Sequence, residues 1–157
     1  EPVAYFITWT VYGTFLQGDA RWWRKRDDGE QAPQPLLQQW HQERLNHAVV
    51  LLSHVHRQVV EREVDIHCER RSWKLWAVSA RSNHVHLVVT APGYAGDKVR
   101  DQLKANCTRG IREIDPQFID RPVWTTKGDV EFVKKEDDLD KVIEYVVLAQ
   151  DRMERGK

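Results

Sequence analysis

Two histidines separated by one residue, His84 and His86, are the side chains in this 157-residue chain best suited to chemistry. The surrounding segment, Asn83 to Val89 (NHVHLVV), is rich in aliphatic residues and favours a β-strand. In a strand, residues two apart point to the same face, with Cα atoms about 6.5–7 Å apart. Both imidazoles can therefore converge on one cation, while the alternate residues from Val85 to Val89 face the core. With an oxygen donor they suit Mn, Zn or a similar ion, without identifying the metal.

A second pair with the same spacing, His54 and His56, serves as an internal control. Ser53 is a suitable N-cap, so we expect a helix from about His54 to Arg70. In its first turn, residues two apart point about 200° apart and cannot easily share a metal. We interpret this second pair as surface or capping residues and place the metal site at His84 and His86. Two histidines on a half-exposed strand without a ligand are the alternative.

Tyr145 is the candidate nucleophile, in an amphipathic segment expected to form a helix from about Glu136 to Arg152. A phenol has a pKa near 10 and becomes a useful nucleophile only beside a cation or base that stabilises the phenolate. A divalent ion at the histidine pair could do this and also polarise a phosphate oxygen. Gln150, five residues later, could offer a carbonyl oxygen as a third metal ligand. The alternative for Tyr145 is a tyrosine of the core or its rim.

The elements that must position these residues follow the order β-α-β-β-α-β, with the tyrosine helix added at the C-terminus. Strands are expected at Tyr5–Tyr12, Trp73–Ala80, His84–Thr90 and, in two halves, Val123–Thr126 and Val130–Val133. The first helix has an apolar face that includes Val55, and Asp97 could cap the second, which ends before Pro116. This is the α+β, ferredoxin-like plan, an antiparallel sheet with helices on one face.

Composition limits the classes of function. Lys plus Arg and Asp plus Glu each number 24, which excludes a protein that binds polyanions by bulk charge alone. The length suits a single domain over residues 1–157, and two cysteines argue against a disulfide scaffold. No apolar run approaches the roughly 20 residues of a membrane helix. We expect a cytoplasmic, nucleoid-associated protein with no membrane contact.

Local clusters could still supply a nucleic-acid surface. A long irregular stretch, about 13–52, carries four basic residues around two tryptophans, a combination that grips phosphates and stacks bases. The predicted DNA-binding residues there are Arg21, Trp22, Trp23, Arg24, Lys25 and Arg26. A basic stripe on the second helix adds Arg100, Lys104, Arg109 and Arg112. The alternatives are a solvated basic loop with one tryptophan in the core, and an ordinary charged helix face.

The motif from Asn83 to Val89 resembles the histidine-hydrophobic-histidine motif of the IS200/IS605-type single-tyrosine (HUH) transposases, including the REP-associated tyrosine transposases. Further segments occur in the matching order: Tyr5–Gly13, the helix ending near Arg112, Pro122–Trp124 and Glu144–Val147. The resemblance covers nearly the whole chain. It implies a ferredoxin-like domain that cuts and rejoins single-stranded DNA, often beside a hairpin, as a monomer or a homodimer.

The resemblance also implies the site residues. His84 and His86 would bind Mg or Mn, and Tyr145 would attack the phosphate to leave a 5′-phosphotyrosine and a free 3′-hydroxyl. In many members a Gln or Asn ligand lies four residues after the tyrosine, but here that position is Ala149 and Gln150 follows it. One extra residue adds about 100° of helical rotation, which turns Gln150 away unless the helix is bulged.

The residues and the resemblance together suggest three functions, and the resemblance supplies the DNA substrate of the leading one. The leading one is a metal-dependent tyrosine transposase with endonuclease and strand-joining activity on single-stranded, hairpin-bearing DNA. A non-catalytic, domesticated module that binds single-stranded nucleic acid is the first alternative, and it requires Tyr145 to be structural. A metal-dependent nuclease is the second, and its cleavage would persist in Tyr145→Phe.

Overall fold

Four antiparallel strands form one sheet in the spatial order β2-β3-β1-β4. The computed structural model describes residues 1–14 and 46–149. The strands are β1 Ala4–Thr10, β2 Lys74–Ala80, β3 His84–Thr90 and β4 Asp129–Val133. The helices are α1 His54–Arg71, α2 Gly96–Ile114 and α3 Glu136–Glu144, with a 3₁₀ turn at Pro116–Phe118 and a π-helical turn at Tyr145–Ala149. The predicted α+β, ferredoxin-like fold with an added C-terminal helix is confirmed.

The segment Arg21–Arg26 and Gln150 lie outside the described residues. No helix in the described ranges is both long and apolar enough to span a bilayer.

The helix boundaries follow from local hydrogen bonding. Ser53 caps α1 as predicted, and its side chain and that of His56 bond reciprocally to each other's backbone N–H, which forms a capping box. Two expectations are corrected. Val55 is 56% exposed because it lies in the first turn of α1, away from the sheet. Asp97 does not cap α2, since the N-cap is Ala95 and Asp97 lies in the first turn, where its charge favours the helix dipole.

The sheet has a different apolar layer on each face. On one face α1 and α2 pack against alternate residues of β1 and β3, including Ile7, Trp9, Val85, Leu87 and Val89. On the other face α3 and the π-helical turn cover a smaller cluster of Ala4, Phe6, Val88, Val133, Leu139, Val142, Tyr145 and Val146. We call these the helix face and the tyrosine face. Because strand residues alternate, the choice of face for one residue fixes it for its neighbours.

The predicted strand half Val123–Thr126 is not a strand. The chain there meets β1 at a single bridge between Val11 and Trp124, and the Thr125 N–H then bonds to the Thr10 carbonyl. Pairing does not continue into β4 because Lys127 and Gly128 have positive φ angles of 67° and 136°. These conformations break the extended backbone that a strand requires.

Gly128 is the tightest point of this loop, and Gly128→Ala should destabilise the protein more than Gly93→Ala. An added Cβ at Gly128 would lie 2.8 Å from the carbonyl oxygen of Thr8, whereas one at Gly93 would meet nothing within 4 Å. Both glycines have positive φ, so Gly93→Ala measures the backbone strain, about 1 kcal/mol. We expect Gly128→Ala to cost about 1–3 kcal/mol more, as read by urea unfolding. Equal losses of unfolding free energy would contradict this close approach.

Candidate active site

His84 and His86 lie side by side on the tyrosine face of β3. Their ring centroids are 4.3 Å apart, and the planes are inclined at 69°. Val85 and Leu87 point the opposite way, into the core of the helix face. The structure therefore brings the two predicted imidazoles together, on a central strand whose neighbours are β1 and β2.

Hydrogen bonds orient both rings through the same nitrogen. The Nδ1 atom of His84 lies 2.6 Å from the Asn83 side-chain oxygen, and Nδ1 of His86 lies 2.8 Å from Thr8 Oγ1. A carboxamide oxygen can only accept, so His84 Nδ1 carries the proton and donates it. In the neutral ring this leaves the lone pair on Nε2, the atom that can bind a metal. Thr8 can accept from His86 in the same way.

His86 is held in the form that binds metals. Its side chain is only 1% exposed. Burial, together with the positive charges of His84 and Arg81, keeps the pKa of the His86 imidazole well below its ordinary value. The ring is therefore neutral at physiological pH, and a neutral imidazole is the form required of a ligand.

Tyr145 packs directly against His86, the buried member of this pair. Its ring centroid lies 5.6 Å from that of His86 and 6.0 Å from that of Phe6, both in edge-on geometries. The tyrosine is 6% exposed and lies at the start of the π-helical turn. Leu139 and Val142 precede it at helical spacing and are buried against the sheet, so the apolar face of α3 carries Tyr145 to the histidines.

The acidic first turn of α3 supports this placement. Glu136, Asp137 and Asp138 occupy it, where carboxylates interact favourably with the positive end of the helix dipole. The π-helical turn begins where α3 ends, at Tyr145 itself. Such turns close hydrogen bonds from i to i+5 and are frequent at functional sites.

Several polar residues of the tyrosine face were not predicted. In the sheet register Thr8 lies between His86 on β3 and Asp129 on β4, and Phe6 is opposite Glu131. Thr8 and Glu131 are both buried. The alternation of residues along β1 could have placed Thr8 on the sheet face opposite the helix face. Only the register of β1 against β3 shows that Thr8 contacts His86.

The side chains at the histidine pair supply only some of the donor atoms that a divalent ion needs. In residues 1–14 and 46–149, no group of three or more His, Cys, Asp or Glu side chains could hold a metal. The candidate donors in these residues are therefore two imidazole nitrogens, a type of donor that suits Mn and comparable ions. The remaining positions would need oxygen donors, such as a side-chain amide, water or a substrate phosphate, as is usual for Mg.

The basic stripe of α2 lies on the helix face, away from the histidine pair. Lys104 donates to the carbonyls of Thr125 and Lys127, and Arg100 donates to that of Gly128. Arg112 donates to the carbonyls of Phe118 and Arg121, while Arg109 is exposed and bonds Asn106. Partial burial and the charge of Arg100 lower the pKa of Lys104 to about 8. Three of the four cations thus also hold the 118–128 loop.

The internal control, His54 and His56, consists of one surface residue and one capping residue. His54 is exposed, and its Nε2 lies 3.1 Å from the Gln58 amide. His56 accepts the Ser53 N–H at Nδ1, and its Nε2 lies 2.7 Å from Asp115 Oδ2. Two histidines with this spacing on a helix, His54 and His56, therefore lie in separate environments.

Comparison with solved structures identifies the fold. A proposed transposase from Deinococcus radiodurans R1 matches with a TM-score of 0.52 and 14% identity, over 99% of this chain and 91% of that one. A REP-associated tyrosine transposase bound to a REP hairpin matches with a TM-score of 0.54 and 12% identity, over 96% of this chain and 67% of that one. No known family profile matches the sequence, and no curated protein matches it significantly. The chain therefore has the fold of the tyrosine transposases, the family that its histidine motif resembles.

Proposed function

We propose that this protein is a metal-dependent tyrosine transposase that cleaves and rejoins single-stranded DNA at hairpin-bearing ends. The observation that carries the proposal is the packing of Tyr145 against His86, whose ring lies beside that of His84. A purely structural tyrosine would not need a pair of imidazoles on the strand against which it packs. The structural neighbours support the substrate class, since one is a REP-associated tyrosine transposase bound to a REP hairpin.

The proposed reaction is a phosphoryl transfer with Tyr145 as nucleophile. Its hydroxyl loses a proton, and the phenolate oxygen forms a bond to phosphorus as the bond from phosphorus to the 3′-oxygen breaks. The departing 3′-oxygen takes a proton and becomes a free 3′-hydroxyl, while the 5′-phosphate remains on the tyrosine. Attack by a 3′-hydroxyl reverses the step and rejoins a strand without an external energy source. Catalysis of this kind depends mainly on positioning and charge stabilisation.

The histidine pair would hold Mg or Mn through the two Nε2 atoms. When bound, the ion supplies positive charge that favours the phenolate and polarises a phosphate oxygen. The chain's own contribution is orientation: Thr8 and Asn83 fix the rings, and the apolar face of α3 sets the position of Tyr145.

Gln150 is the proposed third protein ligand. In a regular α-helix it would be turned away from the face of Tyr145, which Ala149 would share. The π-helical turn at Tyr145–Ala149 supports the proposal, because it contains the extra residue that separates the tyrosine from the glutamine.

Replacing this glutamine gives a direct test. Gln150→Ala should weaken Mn²⁺ binding roughly tenfold or more, as measured by calorimetric titration. Moving the amide one residue back, as Ala149→Gln in the Gln150→Ala background, should not restore binding, because the π-helical turn selects the later position. Full restoration by Ala149→Gln would show instead that the ligand position is four residues after the tyrosine.

The basic segment Arg21–Arg26 is proposed to bind DNA together with the α2 stripe. Arg109 is the exposed member of the α2 stripe, whereas Arg100, Lys104 and Arg112 also anchor the 118–128 loop. Substitutions at Arg109 are therefore the ones that separate DNA binding from loop structure.

Covalent trapping tests the proposed function. Purified protein, Mn²⁺ and a labelled pool of hairpin-bearing single-stranded oligonucleotides should give a protein–DNA band on a denaturing gel, and EDTA should abolish it. Cleaved DNA without a protein-linked band would indicate a metal-dependent nuclease. Retention of uncleaved DNA, unaffected by EDTA, would indicate a non-catalytic binding module.

A further inference from the structure

Trp76 is a large aromatic side chain on the surface of the tyrosine face. It lies on the edge strand β2 and is 40% exposed. Trp9, Trp73 and Trp124, by contrast, are all buried. An exposed indole on an edge strand does not contribute to either apolar cluster described above. Packing in an apolar core therefore does not explain the position of Trp76.

A β-bulge places Trp76 there. In the register of β2 against β3, Leu75 is opposite Val89 and Ala77 is opposite Val88, so the intervening Trp76 has no opposite residue. Leu75 packs on the helix face and Ala77 on the tyrosine face. The bulge thus lets both neighbours pack, partly buried, on opposite faces and directs the extra side chain outward. Bulges commonly redirect a side chain beside a functional site.

A hydrogen bond fixes the ring. Thr90 Oγ1 donates to the Val3 carbonyl at 2.7 Å and accepts the indole N–H of Trp76 at 2.9 Å. Lys74 Nζ lies 5.1 Å from the ring centroid, within the range of a cation–π contact. The ring is therefore oriented before any ligand binds, and a positive charge accompanies it.

The position of Thr90 connects this ring to the candidate active site. Thr90 follows His84, His86 and Val88 along the same face of β3, because strand residues two apart share a face. Thr90 lies four positions after His86, which corresponds to roughly 13 Å along the strand. This distance suits a nucleotide near, but outside, the phosphate that reacts.

We propose that Trp76 and Lys74 form a stacking subsite for a base of single-stranded DNA that flanks the scissile phosphate. The indole would stack on the base, and the lysine would neutralise an adjacent phosphate. The subsite rests on the proposed function, since it takes its ligand from the same strand of DNA. Stacking on an aromatic ring tolerates any base, so the subsite adds affinity without sequence preference.

Binding in EDTA isolates this subsite from catalysis. The probe is a fluorescein-labelled single-stranded oligothymidylate of about 20 nucleotides, followed by fluorescence anisotropy. Trp76→Ala should weaken binding roughly 5- to 150-fold, and Trp76→Phe should retain most of the affinity. Lys74→Ala should reduce the salt dependence by about 0.7 in the log–log slope, the value for one phosphate contact on a single strand.

Two controls test whether the loss of affinity depends on the Trp76 ring and on the DNA base. Phe132→Ala removes another exposed aromatic, 52% exposed, from the other edge strand; it lies opposite Tyr5 on the helix face and should not change the affinity. An abasic oligomer of equal length should bind wild type and Trp76→Ala equally, because it has no base to stack. Equal binding of oligothymidylate by wild type and Trp76→Ala would overturn the subsite, even if covalent trapping succeeds. A loss confined to oligothymidylate would support it, even if trapping fails.

Discussion

Replacing Tyr145 by phenylalanine should reduce the covalent protein–DNA product by roughly 10³-fold or more, as expected when a nucleophile is removed. The phenyl ring preserves the edge-on contacts with His86 and Phe6, so the apolar packing of α3 on the sheet is retained. Only the hydroxyl oxygen that would bond to phosphorus is lost. The product is measured by denaturing gel with labelled hairpin DNA and Mn²⁺, and binding by anisotropy in EDTA should stay unchanged.

Tyr12→Phe is the matched control for this loss. Tyr12 is a partly buried tyrosine whose hydroxyl accepts the Asn46 N–H far along the chain. Its variant should form the covalent product at the wild-type rate. Undiminished product from Tyr145→Phe would assign the nucleophile elsewhere. Cleavage that continues in Tyr145→Phe without a protein-linked band would make the protein a nuclease.

The elements that could be predicted are those whose signals are local. Hydrophobic alternation located β3, and it also placed His84 and His86 on one face with Val85 on the other. The Ser53 cap, the end of β2 at Ala80 and the start of β3 at His84 were readable from residue types alone. Element order then led to the ferredoxin-like plan, because a strand, a helix and a hairpin in that sequence have few ways to pack.

The features that could not be predicted depend on contacts between distant segments. Thr8 supports His86 only because β1 and β3 pair in one particular register. The bulge at Trp76 lets Leu75 and Ala77 pack, partly buried, on opposite faces, which alternation alone forbids. The π-helical turn at Tyr145 likewise has no signal in a hydrophobic period. Residues that support the candidate site through contacts between distant segments are therefore harder to predict from sequence than the histidines and the tyrosine themselves.

Removing either imidazole should have the second largest effect. We expect His84→Ala and His86→Ala each to lower Mn²⁺-dependent cleavage by roughly 10²-fold or more, because removal of one of two nitrogen ligands weakens binding of the ion. His54→Ala is the matched control, since it removes an exposed histidine from the other pair with the same spacing. Its cleavage rate and Mn²⁺ affinity should equal those of the wild type.

The two variants should differ in stability, which separates metal binding from folding. His86 is 1% exposed and hydrogen-bonded to Thr8, so His86→Ala leaves a cavity and a buried hydroxyl without its partner, at about 1–3 kcal/mol. His84 is also buried, at 5% exposed, but it lies at the start of β3 and its bond is to the neighbouring Asn83 side chain, so His84→Ala should unfold closer to wild type. If the pair binds the ion, excess Mn²⁺ should restore part of the activity of the stable His84→Ala variant. Wild-type activity of His84→Ala at low Mn²⁺ would instead show that these imidazoles are structural and that Tyr145 acts without them.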